Sequence, residues 1–319
     1  MRTNTLADVI IVGAGLSGLM TAAILDKTTD KRVVILDKGR SVGGRMATRR
    51  IGDGLADHGA QFFTVRAPEF KALVDDWVAA DLVYQWSLGF SDGSLTPMRD
   101  DGYPRLAVRG GMNTLAKHIV AGFSERVEVL TGVQVEQVTR NMESWVIRDD
   151  EGRQYIGRAA ALTAPVPQSL QILSAGKVAL NAGDRKLLEG ITYEPCLTGI
   201  FVVDSHVRLP EPGAVQRRNA PIAWIANNKQ KGISPLPVLT VQADGPTSTQ
   251  LWEADDQRVL KALVTDMMVY LPNDTRIVQQ QLKRWRYSRP RQTHAERVLR
   301  ARDLPPLFFA GDAFGGPRV

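Results

Sequence analysis

The 319-residue sequence predicts an α/β protein that opens with a βαβ unit, and three features of the chain lead to this prediction. Two continuously apolar segments, 8–12 and 32–36, are typical of strands buried on both faces of a parallel sheet. Between them, a glycine-rich turn is followed by a helical segment over 16–26. From 126 to 157 the pattern changes to period-two alternation, which predicts a small antiparallel meander.

The composition is that of an ordinary globular protein, because 44% of the residues are hydrophobic and 23% are charged, which excludes disorder. The single cysteine, Cys196, cannot form an internal disulfide, so we expect the protein to be located in the reducing cytoplasm. The four histidines lack metal-ligand spacing, so no metal site is predicted. The net charge of +6 favours anionic ligands. Nucleic acid is not indicated as a ligand, because the sequence has no long run of basic residues.

The apolar segment 7–25 allows a second interpretation as a signal peptide or membrane span, because Asp8 is its only charged residue. Three glycines at fixed spacing and the Asp26–Lys27 pair that follows favour a strand, a tight turn and a helix instead. We therefore expect no association with a membrane.

The remaining elements are predicted from periodicity and from turn residues. Helices are expected at 68–80, 111–120 and 255–271, and further strands at 159–163, 197–203, 238–243 and 307–310. A short apolar strand at 159–163 would end at the prolines that follow it.

The opening turn carries a G-x-G-x-x-G motif directly after one strand and at the start of a helix, formed by Gly13, Ala14, Gly15, Leu16, Ser17 and Gly18. The glycines allow a tight turn, the approach of a pyrophosphate to the backbone and close packing of the helix on the strand. The pyrophosphate would lie at the positive end of the helix dipole. Any glycine-rich turn can match this pattern, so a plain strand-to-helix connection is the alternative.

Asp37, at the end of the second strand, strengthens the nucleotide interpretation. A carboxylate at this position accepts hydrogen bonds from ribose hydroxyls and repels a 2′-phosphate, so the resident dinucleotide is predicted to be FAD or NAD. In the next loop, Gly43 and Gly44 let the backbone close over a phosphate and Arg45 can pair with it. A flexible loop is the alternative explanation for the two glycines.

The R-x-x-G-G-R loop that ends at Arg45 resembles the second motif of the flavoprotein amine oxidase superfamily. The segment 57–64 (DHGAQFFT) and the closing segment 309–319 (FAGDAFGGPRV) are similar to the renalase-like branch, and most of all to the short bacterial-type renalases. Because these blocks lie near both ends of the chain in the expected order, the resemblance covers essentially its whole length.

The resemblance implies a Rossmann-like domain that binds FAD non-covalently and a second, α+β substrate domain whose antiparallel sheet covers the flavin. We expect the FAD-binding domain to consist of 1–65, 101–175 and 291–319, and the substrate domain of 66–100 and 176–290. In the family a helix continues after the G-G-P-R-V stretch and supports the reduced flavin through its dipole, so we expect further residues beyond Val319.

The glycine motif and the resemblance together place a set of residues beside FAD. These are Gly13, Ala14, Gly15, Leu16, Ser17, Gly18, Asp37, Lys38, Gly44, Arg45, Gln61, Phe62, Val135, Gly311 and Asp312. Val135 is placed by its V-x-x-V spacing with Val138, where the family offers backbone to the adenine. Asp312 would bond the ribityl chain.

Candidate residues for the flavin face or the substrate are His58 and four residues of the basic stretch 283–291, namely Arg284, Trp285, Arg286 and Tyr287. His58 could attach FAD or move a proton, but family members bind FAD without a bond there, so a local hydrogen-bonding role is favoured. On a strand, Trp285 and Tyr287 share one face and the two arginines the other. An equal alternative is a solvent-exposed edge strand whose charges guard it against aggregation. Binding of single-stranded nucleic acid is disfavoured because the stretch is short.

Four further residues carry weaker signals. Arg99, Arg105 and Arg109 are candidates for the same anionic cleft. Cys196 is expected to be a packed residue, because no histidine lies near it in sequence to make it a nucleophile.

The resemblance implies an oxidase of misreduced pyridine nucleotides, with the 2-dihydro isomers of NADH and NADPH as its small-molecule substrates. Hydride would pass to flavin N5, and O₂ would then reoxidise the flavin to give hydrogen peroxide. This chemistry needs positioning more than acid or base catalysis. The sequence leaves the NAD or NADP preference open, and it leaves two alternatives: an amine oxidase, or a flavin-bound redox sensor without turnover.

Overall fold

The computed structural model describes residues 4–94, 100 and 102–316. The chain divides into two compact units. Unit 1 comprises Met1–Gly44, Ala116–Tyr193 and Arg289–Val319, and unit 2 comprises Arg45–Leu115 and Glu194–Ser288. The functional domain boundaries expected from the sequence stay a prediction, because a compact unit need not coincide with the domain that binds a given ligand.

The elements are numbered in chain order. In the described ranges, the strands are β1 (Asn4–Val12), β2 (Val33–Asp37), β3 (Thr48–Ile51), β4 (Gly54–Asp57), β5 (Val83–Ser87), β6 (Arg105–Val108), β7 (Val127–Thr131), β8 (Val135–Asn141), β9 (Ser144–Asp149), β10 (Gln154–Leu162), β11 (Tyr193–Val203), β12 (Ala214–Gln216), β13 (Ile222–Asn227), β14 (Val238–Ala243), β15 (Ile277–Pro290), β16 (Val298–Arg300) and β17 (Leu307–Ala310). The helices there are α1 (Leu16–Thr28), α2 (Pro68–Ala79), α3 (Asn113–Ala121), α4 (Val166–Ala175), α5 (Ala182–Glu189), α6 (Gly245–Gln250) and α7 (Asp256–Met267), with a 3₁₀ turn at Met268–Tyr270.

Unit 1 is built on a mixed sheet that has eight strands among the described residues, with β16, β17, β10, β1, β2 and β7 in spatial order. β1 pairs in parallel with both β10 and β2, and β17 pairs in parallel with β10. Residues 9–12 of β1 and 33–36 of β2 are continuously apolar, and Ile10, Ile11 and Ile35 are fully buried. The α/β fold class predicted from these continuous apolar runs is therefore confirmed.

The predicted meander over 126–157 is only partly antiparallel. β8 pairs with β9 and β9 with β10 in antiparallel fashion, but β7 pairs in parallel with β2. Period-two alternation indicates one buried and one exposed face, and an edge strand of a parallel sheet meets that condition as well. The strand expected at 159–163 is the second half of β10, which pairs along β1 for most of its length.

Unit 2 contains an antiparallel sheet in which five strands of the described chain follow the order β12, β13, β14, β11 and β15. Helix α7 packs against it, and Leu197, Phe201 and Leu263 are fully buried in the resulting core. The unit also contains the β3–β4 hairpin and a second antiparallel pair formed by β5 and β6. The basic strand β15 lies at one edge of this sheet, which matches the guarded-edge alternative for this stretch.

The predicted helices agree with α2, α3 and α7 to within a few residues. Asp255 caps α7, because its side chain accepts a hydrogen bond from the N–H of Arg258 at 2.9 Å. Helix α4 was not predicted, because Pro165 and Pro167 indicate the end of a strand, whereas proline is tolerated in the first turn of a helix. In the described ranges, no helix has the length and apolarity to cross a bilayer, and the apolar segment 7–25 forms most of β1 and α1.

Candidate functional site

The glycine turn of unit 1 leaves the N-terminus of α1 open to an anion. Gly13 has φ +113° and its N–H donates to the carbonyl of Leu36 at 2.8 Å, which turns the chain sharply after β1. Among the described residues no side chain caps α1 at Gly15, and the first turn of the helix contains no acidic residue. The unsatisfied N–H groups and the positive end of the helix dipole are therefore free to meet a phosphate.

The space beside this helix end fits a pyrophosphate. A Cβ placed on Gly15 would meet no atom of the described chain within 4 Å, so the room above this backbone is open. On the other side of the turn, Gly44 packs so closely that its Cβ would lie 3.3 Å from the Cα of Gly15. The N–H of Gly43 donates to the carbonyl of Ala14 at 2.8 Å, which joins the two glycine loops. We call Gly13–Gly18, Asp37 and Gly43–Gly44 the glycine cradle.

Asp37 is fixed within the glycine cradle. Its Oδ2 accepts from the N–H of Ala14 and its Oδ1 from the N–H of Gly39, each at 2.6 Å. A carboxylate oxygen has a second acceptor site, so these two bonds orient the group without exhausting it. The carboxylate can still accept from ribose hydroxyls, as the sequence analysis predicts.

Three strand ends converge beside the cradle. Thr163 follows β10, and its Oγ1 donates to the carbonyls of Val12 and Gly13 at 3.1 and 3.0 Å. Gly311 follows β17 and has φ +137°, and a Cβ there would lie 3.5 Å from the carbonyl oxygen of Thr163. Ligands of open α/β sheets bind outside the carboxyl ends of the strands, which is where Gly311 and the neighbouring Asp312 lie. Thr163 was not predicted as a site residue, because its only signal in the sequence is its place at the end of an apolar strand.

Two further residues of unit 1 that were predicted to contact FAD, Lys38 and Val135, differ in exposure. Lys38 is exposed directly after β2, and Val135 is half-buried at the start of β8. Residues 317–319 of the closing block lie outside the described part of the chain.

In unit 2, a buried ion pair anchors the segment 57–62. The Nζ of Lys231 donates to Asp57 Oδ2 and to the carbonyl of Gln61, both at 2.6 Å, and both charged side chains are fully buried. Asp57 Oδ1 also accepts from the N–H of Met112 at 2.8 Å and from Thr48 Oγ1. Burial lowers the pKa of Lys231, and the charge of Asp57 opposes that effect.

The carbonyl oxygens of this segment are held by side chains from the five-stranded sheet. The donors are Thr240 Oγ1 to Asp57 at 2.8 Å, Trp285 Nε1 to His58 at 2.8 Å and Gln242 Nε2 to Gly59 at 2.9 Å. Because three of its carbonyls accept hydrogen bonds from the sheet, the backbone of segment 57–62 has a defined orientation.

Phe62 packs against an aromatic cluster of unit 2 formed by Trp86, Phe90 and Trp224, and Gln61 precedes it in the chain. Phe62 lies 5.2 Å from Phe90 and 5.7 Å from Trp224, measured between ring centroids. The Nε2 of Gln61 donates to the carbonyl of Asp57 at 2.7 Å, while its Oε1 is buried without a hydrogen-bond partner among the described residues. An orphaned buried acceptor is costly, so a donor from a bound group is expected at Gln61.

His58 is a buried, neutral imidazole that packs on Trp285. The two ring centroids are 5.3 Å apart with 23° between the planes, and His58 is 7% exposed. Burial lowers the pKa of His58 to about 4, helped by the positive charges of Lys283 and Arg49. The Nδ1 atom has no partner in the described part of the chain.

This pKa gives the protein a pH-dependent stability. The unfolded chain binds a proton at His58 below about pH 6.5, whereas the folded chain binds it only near pH 4. The free energy of unfolding therefore falls as the pH drops through this window. Between pH 7 and 5 we expect the free energy of unfolding of the wild type to fall by about 2 kcal/mol through His58, and we expect His58→Gln to lack this contribution. Urea denaturation at the two pH values measures both. The control His206→Gln removes an exposed histidine, and an equal change in that variant would contradict the assignment.

A cleft of about 190 Å³ lies beside His58 in unit 2, lined by Arg49, His58, Ile200, Gln281, Leu282 and Lys283. Arg49 and Lys283 are exposed, and within the described ranges neither forms an ion pair with a carboxylate. Arg49 donates through Nε to Gln281 Oε1 at 3.0 Å, and Lys283 Nζ lies 5.2 Å from the centroid of Trp285. The lining of the cleft therefore contains two cationic side chains and no carboxylate.

The other predicted residues of β15 face a different surface. The guanidinium of Arg284 pairs with Asp256 and donates to the carbonyl of Ala254 at 2.6 Å, which ties it to the start of α7. Arg286 lies over the ring of Trp252 at 5.4 Å. The alternation predicted for this strand is thus visible, with the two arginines turned toward the segment 252–256.

Arg45 and Tyr287 meet through the backbone of β15. Arg45 Nη1 donates to the carbonyls of Tyr287 and Ser288 at 3.2 and 3.3 Å. The half-buried Tyr287 follows Trp285 at the next position on the same face. The role predicted for Arg45 beside a phosphate stays a prediction.

The weaker candidates are dispersed. Arg99 lies outside the described residues. Arg105 donates to the carbonyl of Leu88 at 3.2 Å, and Arg109 pairs with Asp81 at 3.1 Å. Burial raises the pKa of the Cys196 thiol to about 11, so the thiol stays protonated and is suited to packing.

Comparison with known proteins finds matches to two family models and to a known relative. Residues 11–77 match a family model described as NAD(P)-binding Rossmann-like domain, and residues 79–317 match one described as flavin containing amine oxidoreductase. Renalase from Mus musculus is 24% identical over 328 aligned residues, which cover 96% of this chain and 92% of that protein.

Two solved structures have a similar fold. A protein assigned as a protoporphyrinogen oxidase from Exiguobacterium sp. 255-15 has a TM-score of 0.72 at 15% identity and covers 99% of this chain and 96% of its own. Putrescine oxidase bound to putrescine has a TM-score of 0.69 at 14% identity, with the same coverage of both chains. At these identities, the likeness shows the fold alone.

Proposed function

We propose that this chain, which belongs to the flavin-containing amine oxidoreductase family, oxidises misreduced dinucleotides. The proposed substrates are the 2-dihydro isomers of NADH and NADPH, with O₂ as the acceptor. The predicted superfamily and the predicted cofactor, FAD, are confirmed by the two family models. The similarity to renalase over most of both chains supports the narrower proposal. A reducing cytoplasm is the proposed compartment, supported by the single cysteine.

FAD supplies the redox chemistry when bound: it accepts a hydride from the substrate and passes two electrons to O₂. In the balanced reaction, the dihydronicotinamide, O₂ and one proton give NAD(P)⁺ and hydrogen peroxide. The glycine cradle would hold the pyrophosphate of FAD at the start of α1, and Asp37 would hold the ribose of its adenosine. The NAD or NADP preference for the substrate stays open.

The chain's task in this reaction is to position the substrate rather than to move protons. The substrate loses a hydride and becomes aromatic without losing a proton, so no general base is required. His58 is neutral at physiological pH and stacks on Trp285, which suits a flat, partly apolar wall beside a ring. We propose that His58 and Trp285 orient the dihydronicotinamide and exclude water from it.

The observation that favours this substrate over an amine is the charge of the cleft beside His58. Arg49 and Lys283 line it without carboxylate partners among the described residues. An amine is a cation at neutral pH and would be repelled, whereas the diphosphate of a dinucleotide would be attracted.

Aerobic turnover tests the proposal directly. With purified, FAD-loaded protein we expect 2-dihydroNAD to consume O₂ and to form NAD⁺ and hydrogen peroxide in equal amounts. NADH at the same concentration serves as the control, since it carries the hydride at the normal ring carbon. Formation of hydrogen peroxide from amines, with none from 2-dihydroNAD, would reject the proposed substrate.

Amine oxidation is the second candidate, and the aromatic cluster of unit 2 favours it. Trp86, Phe90 and Trp224 pack edge to face within 4.8–5.9 Å, and Lys231 Nζ lies 4.8 Å from the centroid of Trp86. Aromatic rings of this kind can bind a cation or an amine. However, Lys231 already fills that position and is itself paired with Asp57, so the cluster is occupied by a cation of the chain.

A further inference from the structure

We propose that the cleft lined by Arg49, Gln281 and Lys283 binds the diphosphate of the substrate. The identity of this ligand rests on the proposed function, but the anion site itself rests on the residues of unit 2. No motif of the sequence marks these residues as a group, because they come from β3 and from β15.

The backbone brings the two cations to one place. Arg49 lies on β3 and bonds through Nε to the Oε1 of Gln281 on β15, which orients the guanidinium while leaving its terminal nitrogens for a ligand. Strand alternation directs Arg49 and Arg50 to opposite faces of the hairpin, and only Arg49 lines the cleft. Lys283 stands two residues after Gln281 on the same face of β15.

The donors of the cleft suit phosphate oxygens. A guanidinium offers a planar pair of N–H groups, an ammonium offers a mobile point charge, and an amide adds a neutral donor, which together can meet several oxygens at once. His58 contributes no charge, since burial keeps its imidazole neutral. The lining includes no acidic residue that would repel an anion.

The size of the cleft limits the ligand to part of a dinucleotide. Pockets for whole drug-sized ligands measure about 300–1,000 Å³, whereas this cleft measures about 190 Å³. A phosphate or diphosphate group fits that room, and the rest of the molecule would extend from it. Trp285 contacts both Lys283 and His58, so a ring attached to the diphosphate would have an aromatic neighbour.

Binding of ADP-ribose to the FAD-loaded protein, measured by titration calorimetry, tests this site without turnover. Arg49→Gln and Lys283→Gln should each weaken binding by about tenfold, because each removes one charge-assisted contact. The matched control is Arg50→Gln, which makes the same charge change outside the cleft and should alter the affinity by less than about twofold, because Arg50 is exposed and lies on the opposite face of the hairpin, where salt screens its charge. Thermal melting of all three variants checks that they are folded.

The affinity for ADP-ribose tests this inference separately from the proposed function, which is tested by turnover of 2-dihydroNAD. Loss of ADP-ribose affinity in both cleft variants, with little change in Arg50→Gln, supports the anion site even if 2-dihydroNAD is not oxidised. If it is oxidised, the same two variants should raise KM for 2-dihydroNAD by a larger factor than they lower kcat, and they should raise KM for the phosphate-free 2-dihydronicotinamide riboside much less. ADP-ribose affinities of Arg49→Gln and Lys283→Gln equal to that of Arg50→Gln would overturn the proposal.

Discussion

Replacing Lys231 by methionine is expected to lower the free energy of unfolding by about 3–5 kcal/mol, because the carboxylate of Asp57 then stays buried without its counter-charge. Methionine is unbranched and close to lysine in length, so it fills much of the same space beside Trp86, and the loss comes mainly from the unpaired charge. The carbonyl of Gln61 loses its donor in the same step. Urea denaturation of the variant and the wild type measures the difference.

The chain offers a matched control for this prediction. Lys71 and Asp75 form an ion pair with the same 2.6 Å separation, but both side chains are more than half exposed. Lys71→Met should therefore change stability by less than about 0.5 kcal/mol. Adding Asp57→Asn to Lys231→Met should recover part of the loss, since no charge then remains buried. Similar losses in the two lysine variants would show that burial does not set the strength of the Lys231 pair.

Replacing Gly15 by alanine is expected to weaken FAD binding by about 100-fold or more, while the melting temperature of the FAD-free protein stays unchanged. The backbone of Gly15 has φ −72°, which alanine adopts without strain, and the new Cβ would meet no described atom within 4 Å. The methyl group would instead occupy the room in which the pyrophosphate approaches the backbone. Fluorescence titration of the FAD-free protein with FAD measures the affinity.

Gly18→Ala provides the contrast, because a Cβ there would lie 2.0 Å from the carbonyl oxygen of Gly13. That variant should destabilise the FAD-free protein itself, since helix α1 can no longer pack closely against the turn. Stoichiometric FAD in purified Gly15→Ala, at wild-type affinity, would contradict the placement of the pyrophosphate in the glycine cradle.

Local signals made the nucleotide-binding part of the molecule predictable. The apolar runs of β1 and β2, the glycines between them and Asp37 lie within a short stretch of chain, and each is constrained by the geometry of a single βαβ unit. The pairing of β7 with β2 was not predictable in the same way. Its alternating pattern fits either an antiparallel hairpin or a parallel edge strand, and only the long-range pairing distinguishes them.

The residues of unit 2 were harder to predict because their partners are distant in sequence. Lys231 lies in a polar turn (NNKQKG) that looks solvated, yet it is buried against Asp57 from the β3–β4 hairpin. Arg49 gave no signal of its own, since a charged residue on a short strand is ordinary. Arg284 was predicted as a candidate for the site from the basic stretch, but its role at the start of α7 depends on Asp256, to which no local pattern connects it.

The most direct test of the account is anaerobic titration of the yellow, FAD-loaded protein with 2-dihydroNAD, followed by the flavin absorbance band. We predict stoichiometric bleaching that reverses when O₂ is admitted, with much slower bleaching by NADH and none by a panel of amines. Bleaching by amines alone would identify an amine oxidase, and a band unchanged by every compound would identify a flavin-bound protein without this turnover. Either result would contradict the assignment of the chain as a dihydronicotinamide oxidase.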